Sequence, residues 1–172
     1  NDNSINYDRI LFSPDKKTKL NVIKQGQWSN WYPIKLKWGE FDVDSHVTFN
    51  IIKLDNDGFF RIRLFYNNLN KYNVKPSNVA NELNDNIGPM IDFVDNFPPQ
   101  LIYYPEDKNT FFDEMHKSFD WHTNAIPYII NNMSPDIILH DIYSPNQMLT
   151  SRWWLGYIDP DSQRYNEVNN QT

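Results

Sequence analysis

The chain has 172 residues, a net charge of −6, 16% aromatic residues and no cysteine. That length suits one domain, or one domain with a large embellishment, and the aromatic content excludes a typical disordered chain. The acidic balance argues against a binder of nucleic-acid duplexes, the lack of cysteine excludes disulfides and thiolate chemistry, and no apolar run approaches the roughly 20 residues of a membrane helix.

Four strand candidates occupy the first half. Tyr7 to Ser13 ends in a Ser-Pro-Asp-Lys turn. Trp31 to Trp38 alternates, with Ile34, Leu36 and Trp38 on one face and Lys35 and Lys37 on the other. Val47 to Leu54 and Phe59 to Tyr66 flank Asp55-Asn-Asp-Gly58 and read as an antiparallel hairpin. In its second strand the pattern places Phe60, Ile62, Leu64 and Tyr66 toward a core, and Arg61 and Arg63 away from it.

After Pro76 the chain reads as helices with one buried strand. Ser77 is placed to cap a short helix that stops by Gly88-Pro89. Phe97-Pro-Pro99 and Tyr104-Pro105 enforce extended chain. A long helix is expected from Thr110 to about Met133, with Thr110 and Asp113 resembling a capping box. Its core face would carry Phe112, Met115, Phe119, Ile126 and Ile130, with Lys117 exposed and a kink or break at Pro127. Ile137 to Leu139 then reads as a central parallel strand. It leads into a polar loop at Ser144-Pro-Asn-Gln147, a helix carrying Arg152 to Leu155, and a final helix or turn at Asp159-Pro160.

Ligands in open α/β sheets bind beyond the carboxyl ends of strands, which directs attention to His140, Asp141, Asn146, Gln147 and Arg152. These could ligate a metal; alternatively, Asp141 and Asn146 only turn the loop and His140 is a satisfied polar residue. His116 and His122 lie six residues apart, against the three or four that share a helix face; Asp113 and His116, and His116 and Asp120, do share one, and read as a solvated charged stripe rather than as metal ligands. His46, beside Asp44, reads as structural. Trp28, Trp31 and Trp38 admit a sugar-stacking platform or the core of a small sheet, and core is the favoured reading. The 24 asparagines read as a compositional bias, and the sequons at Asn132 and Asn170 as chance matches. No phosphate-binding glycine loop, nucleophile elbow or His-Glu-x-x-His motif occurs.

The run from Ser134 to Asn146, followed by Arg152-Trp-Trp-Leu-Gly-Tyr-Ile-Asp-Pro160 and Tyr165, resembles one segment of the type I phosphodiesterase / nucleotide pyrophosphatase branch of the alkaline phosphatase superfamily. Phe12-Ser-Pro-Asp-Lys, Gly26-Gln-Trp-Ser-Asn-Trp31 and the strand pair ending in Phe60-Arg-Ile-Arg63 resemble an accessory β insertion of related sequences. The resemblance implies a catalytic α/β sandwich with two metal ions, zinc or manganese, and a Thr or Ser nucleophile acting on a phosphate ester. It also places this chain as an internal portion. The nucleophile motif has no counterpart here, and neither do the N-terminal metal Asp and the later Asp-His pair. The family's metal-binding Asp falls on Asn146, and its His falls near Thr150 by spacing or on Arg152 by the aromatic run. Asn brings no charge, and Arg does not ligate metals but can hold phosphate in a fork.

The expected fold is therefore α+β to α/β: a small antiparallel β-sheet insertion at 1–75, then a helix–strand–helix portion of an alkaline-phosphatase-like sheet at 76–172. Expected site residues are His140, Asp141 and Asn146 for a divalent metal and Arg152 for substrate. The expected function is a part of a metal-dependent phosphodiesterase, not catalytic by itself, with the remainder of the parent polypeptide or another chain as partner. The alternative is a non-catalytic binding or assembly module using an aromatic sheet face for a sugar or a protein.

Overall fold

The computed structural model describes residues 7–13, 15–19, 21–91, 107–142, 159–161 and 165. They form a mixed α+β fold in two units, Asn1–Asp92 and Phe93–Thr172. The first unit holds β1 (Arg9–Phe12), β2 (Asn21–Lys24), β3 (Tyr32–Trp38), β4 (Phe41–Leu54), β5 (Phe60–Tyr66) and α1 (Asn78–Asn86); the second holds α2 (Asp107–Met133). β1 and β2 pair antiparallel, and β3, β4 and β5 form an antiparallel sheet in that order. β2 has no counterpart among the sequence expectations.

The hairpin forms where the sequence places it. Val47 pairs with Tyr66 and Leu54 with Phe60, with a shift in register between Ile51 and Lys53. The turn is closed by Gly58 N–H donating to the Asp55 carbonyl at 2.9 Å. Gly58 has φ of +89°, a backbone conformation that favours glycine, and a Cβ there would lie 3.3 Å from the exposed Tyr7 ring, which would have to shift by a few tenths of an ångström. The strand is longer than expected, because Phe41 to Val47 continues it and pairs with β3.

β4 is the spine of the unit. Its first half takes β3 on one edge. Beyond β3, residues 25–29 take over as backbone partners, with Gly26 N–H bound to the Ile51 carbonyl at 2.7 Å and Ser29 N–H to the Phe49 carbonyl at 2.8 Å. Ile51 is fully buried, and Thr48 and Asn50 on the other face are 1% exposed. The Trp28 and Phe65 rings, 5.6 Å apart, flank these two polar residues. Phe12 stacks on Phe49 at 4.4 Å, which places the β1–β2 hairpin on the opposite face.

This arrangement reverses the expected faces of β5. Phe65 is buried, Arg61 and Arg63 are half-buried, and Phe60, Ile62, Leu64 and Tyr66 are exposed. Alternation shows that two faces differ but not which one is covered. Trp28 covers the arginine-bearing side, and the Arg63 guanidinium lies 4.9 Å from the Phe65 ring centre, so its stem and plane join the packing.

α1 ends as expected, with Gly88 at φ +109° and its N–H on the Leu83 carbonyl. Ser77 holds the cap position but makes no side-chain cap bond. Thr110 lies inside α2, one turn from its start, and so is not a cap. α2 runs on through Pro127 without a break. One turn earlier, Thr123 Oγ1 donates to the Phe119 and Asp120 carbonyls and Asn124 Nδ2 to the Asp120 carbonyl, side-chain bonds that compete with the backbone ladder rather than strengthen it. Its buried positions are Thr110, Glu114, Met115, Ser118, His122 and Ala125, whereas Ile130 is exposed and Lys117 half-buried. The expected apolar stripe is thus rotated toward a polar one.

α2 ends at Ser134, whose φ is +46°, followed by Pro135. The expected central strand at Ile137 to Leu139 does not form: the three residues have no regular structure, and Leu139 is 95% exposed. A strand needs a neighbour for its N–H and C=O groups, and no described strand pairs with this run. Pro160 and Asp161 form a turn, with Asp161 N–H on Asp159 Oδ1. The expected extended segments at Phe97–Pro99 and Tyr104-Pro105, the Ser144–Gln147 loop and the Arg152–Leu155 helix lie outside the described residues.

Two outcomes test this core. Ile51→Ala is expected to destabilise the protein by about 2–5 kcal/mol in chemical denaturation, since the side chain is fully enclosed. Asp15 organises the turn after β1 by accepting bonds from the Thr18 and Lys17 amides and the Thr18 and Ser13 hydroxyls. The amide bonds, Thr18 first, hold its carboxyl down to about 2, below the usual 3.8. A depressed folded-state value contributes stability that is fully present above the unfolded value and is lost as pH falls through the folded one. The Lys17 and Thr18 amide resonances are therefore expected to titrate with a midpoint near 2, and Asp15→Asn to abolish that transition.

Candidate functional site

One concave site stands out in the first unit. A cleft of about 520 Å³ opens on the sheet face that carries Phe49, at the end the β1–β2 hairpin leaves uncovered. Leu36, Phe41, Val43, Ser45 and Tyr66 line it from the sheet. They share a face because Leu36 is paired with Val43 and Tyr66 with Val47 in an alternating register. Asn67, Asn68, Asn70, Tyr72 and Asn73 line it from the loop after β5. Among these described residues the lining holds neither a carboxylate nor a cation.

The loop is held by amide side chains. Asn67 is 4% exposed and uses its whole amide. Its Nδ2 donates to the Leu69 carbonyl at 2.8 Å and to Asn84 Oδ1 at 3.0 Å; its Oδ1 accepts from the Leu69 and Met90 amides at 3.0 and 2.9 Å. Its backbone N–H donates to the His46 carbonyl, and its carbonyl accepts from Ser45 Oγ. Asn70 Oδ1 accepts from the Tyr72 amide, and Asn73 Oδ1 from the Asn70 amide, while Asn73 Nδ2 donates to the Asn68 carbonyl. These side chains mimic backbone turn bonds. Tyr72 Oη donates to the Asp42 carbonyl at 3.2 Å and its ring meets Phe41 edge-on at 6.4 Å, joining the loop back to β4.

Against that frame the asparagines and aromatics divide into two sets. Asn67 and Asn73 are consumed internally. The Asn68 amide, the Asn70 Nδ2 group and the Tyr66 hydroxyl form no hydrogen bond among the described residues, and Phe41, Tyr66 and Tyr72 are each more than half exposed.

The residues singled out from sequence lie elsewhere. His140 and Asp141 are exposed on the irregular segment after α2. Asn146 and Arg152 lie outside the described residues, so the expected gathering with Asp141 has no geometry here. The His140 ring lies 4.9 Å from the His122 ring at 72°. His116 and Asp120 are exposed and Asp113 half-buried, as a solvated stripe requires, while His122 is buried. No cluster of three or more acidic, histidine or cysteine side chains occurs among the described residues. Trp28 packs on Phe65 as core, in line with the favoured reading, and Trp31 is half-buried.

Sequence reading missed the cleft. Its signal was Tyr66-Asn-Asn-x-Asn-x-Tyr72-Asn73, aromatics interleaved with turn-forming amides, which the overall asparagine content masked. A comparison with protein-family models, characterised proteins and solved structures finds no match to this chain.

The Asn67 amide is the keystone of this wall. Asn67→Ala is expected to cost about 3 kcal/mol or more, since it leaves buried partners unpaired. Asn67→Asp is expected to destabilise comparably at neutral pH, because it sets an oxygen against the Leu69 carbonyl and Asn84 Oδ1. Thermal melts of both variants check this; a loss confined to Asn67→Ala would show that Nδ2 carries little.

Proposed function

We propose that the first unit is a non-catalytic binding module whose ligand sits in the cleft between the sheet face and the Asn67–Asn73 loop. The observation that carries this reading is a preformed concave site, mostly apolar, with a few uncommitted polar groups at its border. Its volume of about 520 Å³ lies in the range typical of small-molecule sites. A wall stiffened by internal hydrogen bonds lowers the ordering cost of binding. Among the described residues the lining holds no carboxylate, imidazole, thiol or cation to activate its Ser45, Tyr66 and Tyr72 hydroxyls, which favours holding a ligand over converting it.

The test is a ligand-observed NMR screen of small neutral compounds. Binders are expected whose signals vanish with Tyr66→Ala and Tyr72→Ala, both at exposed rings. Binders indifferent to both substitutions, or no binders, would overturn the assignment.

A second reading concerns the parent polypeptide, as a metal-dependent phosphodiesterase-like hydrolase to which this chain contributes a non-catalytic part. The resemblance around Asp136 to Pro160 supports it. So does the exposed Ile137–Leu139 run, an apolar segment suited to a sheet completed by other residues of the parent. His140, Asp141 and the neighbouring His122 are suitable donor types for zinc or manganese. The described residues do not gather three of them, so they do not by themselves fit a metal. With bis-p-nitrophenyl phosphate and either metal, the isolated chain is expected to show no turnover above a metal blank, whereas the parent does turn over. Metal-dependent turnover by the isolated chain would overturn its non-catalytic role.

A further inference from the structure

We infer that the ligand of this cleft is a neutral saccharide, stacked on its aromatic rings and hydrogen-bonded through its hydroxyls to the Asn68 amide. The inference rests on the binding-module reading and adds the chemical class of the ligand.

Three features of the lining select that class. The first is the aromatic surface. Phe41, Tyr66 and Tyr72 are 63%, 55% and 54% exposed around one cleft, beside Leu36 and Val43. A pyranose ring presents a face of polarised C–H groups that matches the negative face of an aromatic ring, and burial of that face releases water from both.

The second is the uncommitted polar groups. In a loop where Asn67 and Asn73 are bound internally, the half-buried Asn68 amide keeps both its donors and its acceptor, and Asn70 keeps its Nδ2 donors. The Tyr66 hydroxyl adds a group that both gives and accepts. A sugar hydroxyl also gives and accepts, and two vicinal hydroxyls meet one carboxamide as a bidentate pair. An apolar peptide side chain would cover the rings but leave these groups dry and unpaired, which lowers affinity.

The third is charge. The described lining holds no carboxylate and no cation, and the Lys71 ammonium beside it lies 5.2 Å from the Tyr72 ring centre, so the lining itself supplies no paired counter-charge for a uronic, sulfated or phosphorylated sugar. Ser45, buried beside the apolar residues, already donates to the Asn67 carbonyl, so it leaves the discriminating contacts to the border.

The experiment is a heteronuclear NMR titration of the whole chain with short neutral oligomers of glucose, mannose, xylose and N-acetylglucosamine. An oligogalacturonate and a leucine-rich peptide serve as the acidic and protein arms. At least one neutral series is expected to shift the Tyr66, Asn68 and Tyr72 amides with saturation at millimolar or lower concentration. Tyr66→Ala and Asn68→Ala are each expected to weaken it about tenfold or more, and Tyr66→Phe to weaken it less than Tyr66→Ala. Phe59→Ala removes an equally exposed ring outside the cleft and is expected to leave affinity unchanged. Melting curves confirm that each variant is folded. Preference for the acidic oligomer or the peptide would overturn the saccharide assignment. So would failure of every neutral sugar; if neutral compounds from the screen still bind through Tyr66 and Tyr72, the module stands and only its ligand class falls. If nothing binds the cleft, both fall.

Discussion

The first unit depends on one buried carboxamide. Asn67 leaves β5 where the sheet ends, and its side chain joins the loop backbone at Leu69, helix α1 at Asn84 and the later segment at Met90. Few other residue types could do this, because the site needs two donors and a doubly used acceptor on one short planar group. An apolar side chain would leave the same backbone groups unpaired in a dry place. The cleft wall follows from this amide, since the loop that carries Asn68 and Tyr72 starts from it.

The sheet has a matching logic. β4 runs for 14 residues and no single neighbour covers it on the β3 side. β3 covers the first half and residues 25–29 cover the second, and the join is polar. Ser29 Oγ accepts from the Phe49 amide and lies 3.2 Å from Thr48 Oγ1, which in turn donates to the Ser29 carbonyl. Thr48 can therefore be buried in a small unit otherwise poor in large aliphatic side chains, whereas the equally buried Asn50 Oδ1 has no hydrogen-bond partner among the described residues. The hairpin of β1 and β2 covers the opposite face at Phe49 and leaves the end near Phe41 and Tyr66 open, where the cleft forms.

The second unit makes the converse choice. α2 buries Thr110, Glu114, Ser118 and His122, spaced four apart, where its sequence offered Phe119, Ile126 and Ile130. A helix with apolar residues distributed around it has several candidate faces, and periodicity alone does not rank them. The Ile137–Leu139 run makes the same point for strands. Its composition is that of a central parallel strand, yet strand formation is decided by a neighbour's hydrogen-bonding edge, which the run itself does not encode.

What the sequence by itself determined is local. The Asp55–Gly58 turn, the pairing of the flanking strands, the end of α1 at Gly88 and the end of α2 at Met133 follow from backbone preferences and short-range hydrogen bonds, which neighbouring residues carry. What only the tertiary structure decided is which faces are covered. Phe65 lies in the same lane of β5 as two arginines, and it is core because Trp28, 37 residues earlier, packs beside it. Tyr66 is its neighbour in a lane that reads as more apolar, and it is exposed because nothing among the described residues closes over it. Asparagine shows the same division. Composition revealed that there were many, but only contact distinguished Asn67, whose amide is spent inside the fold, from Asn68, whose side-chain amide makes no hydrogen bond among the described residues. Burial and hydrogen-bond satisfaction are properties of pairs brought together by folding, and a single position in a sequence does not carry them.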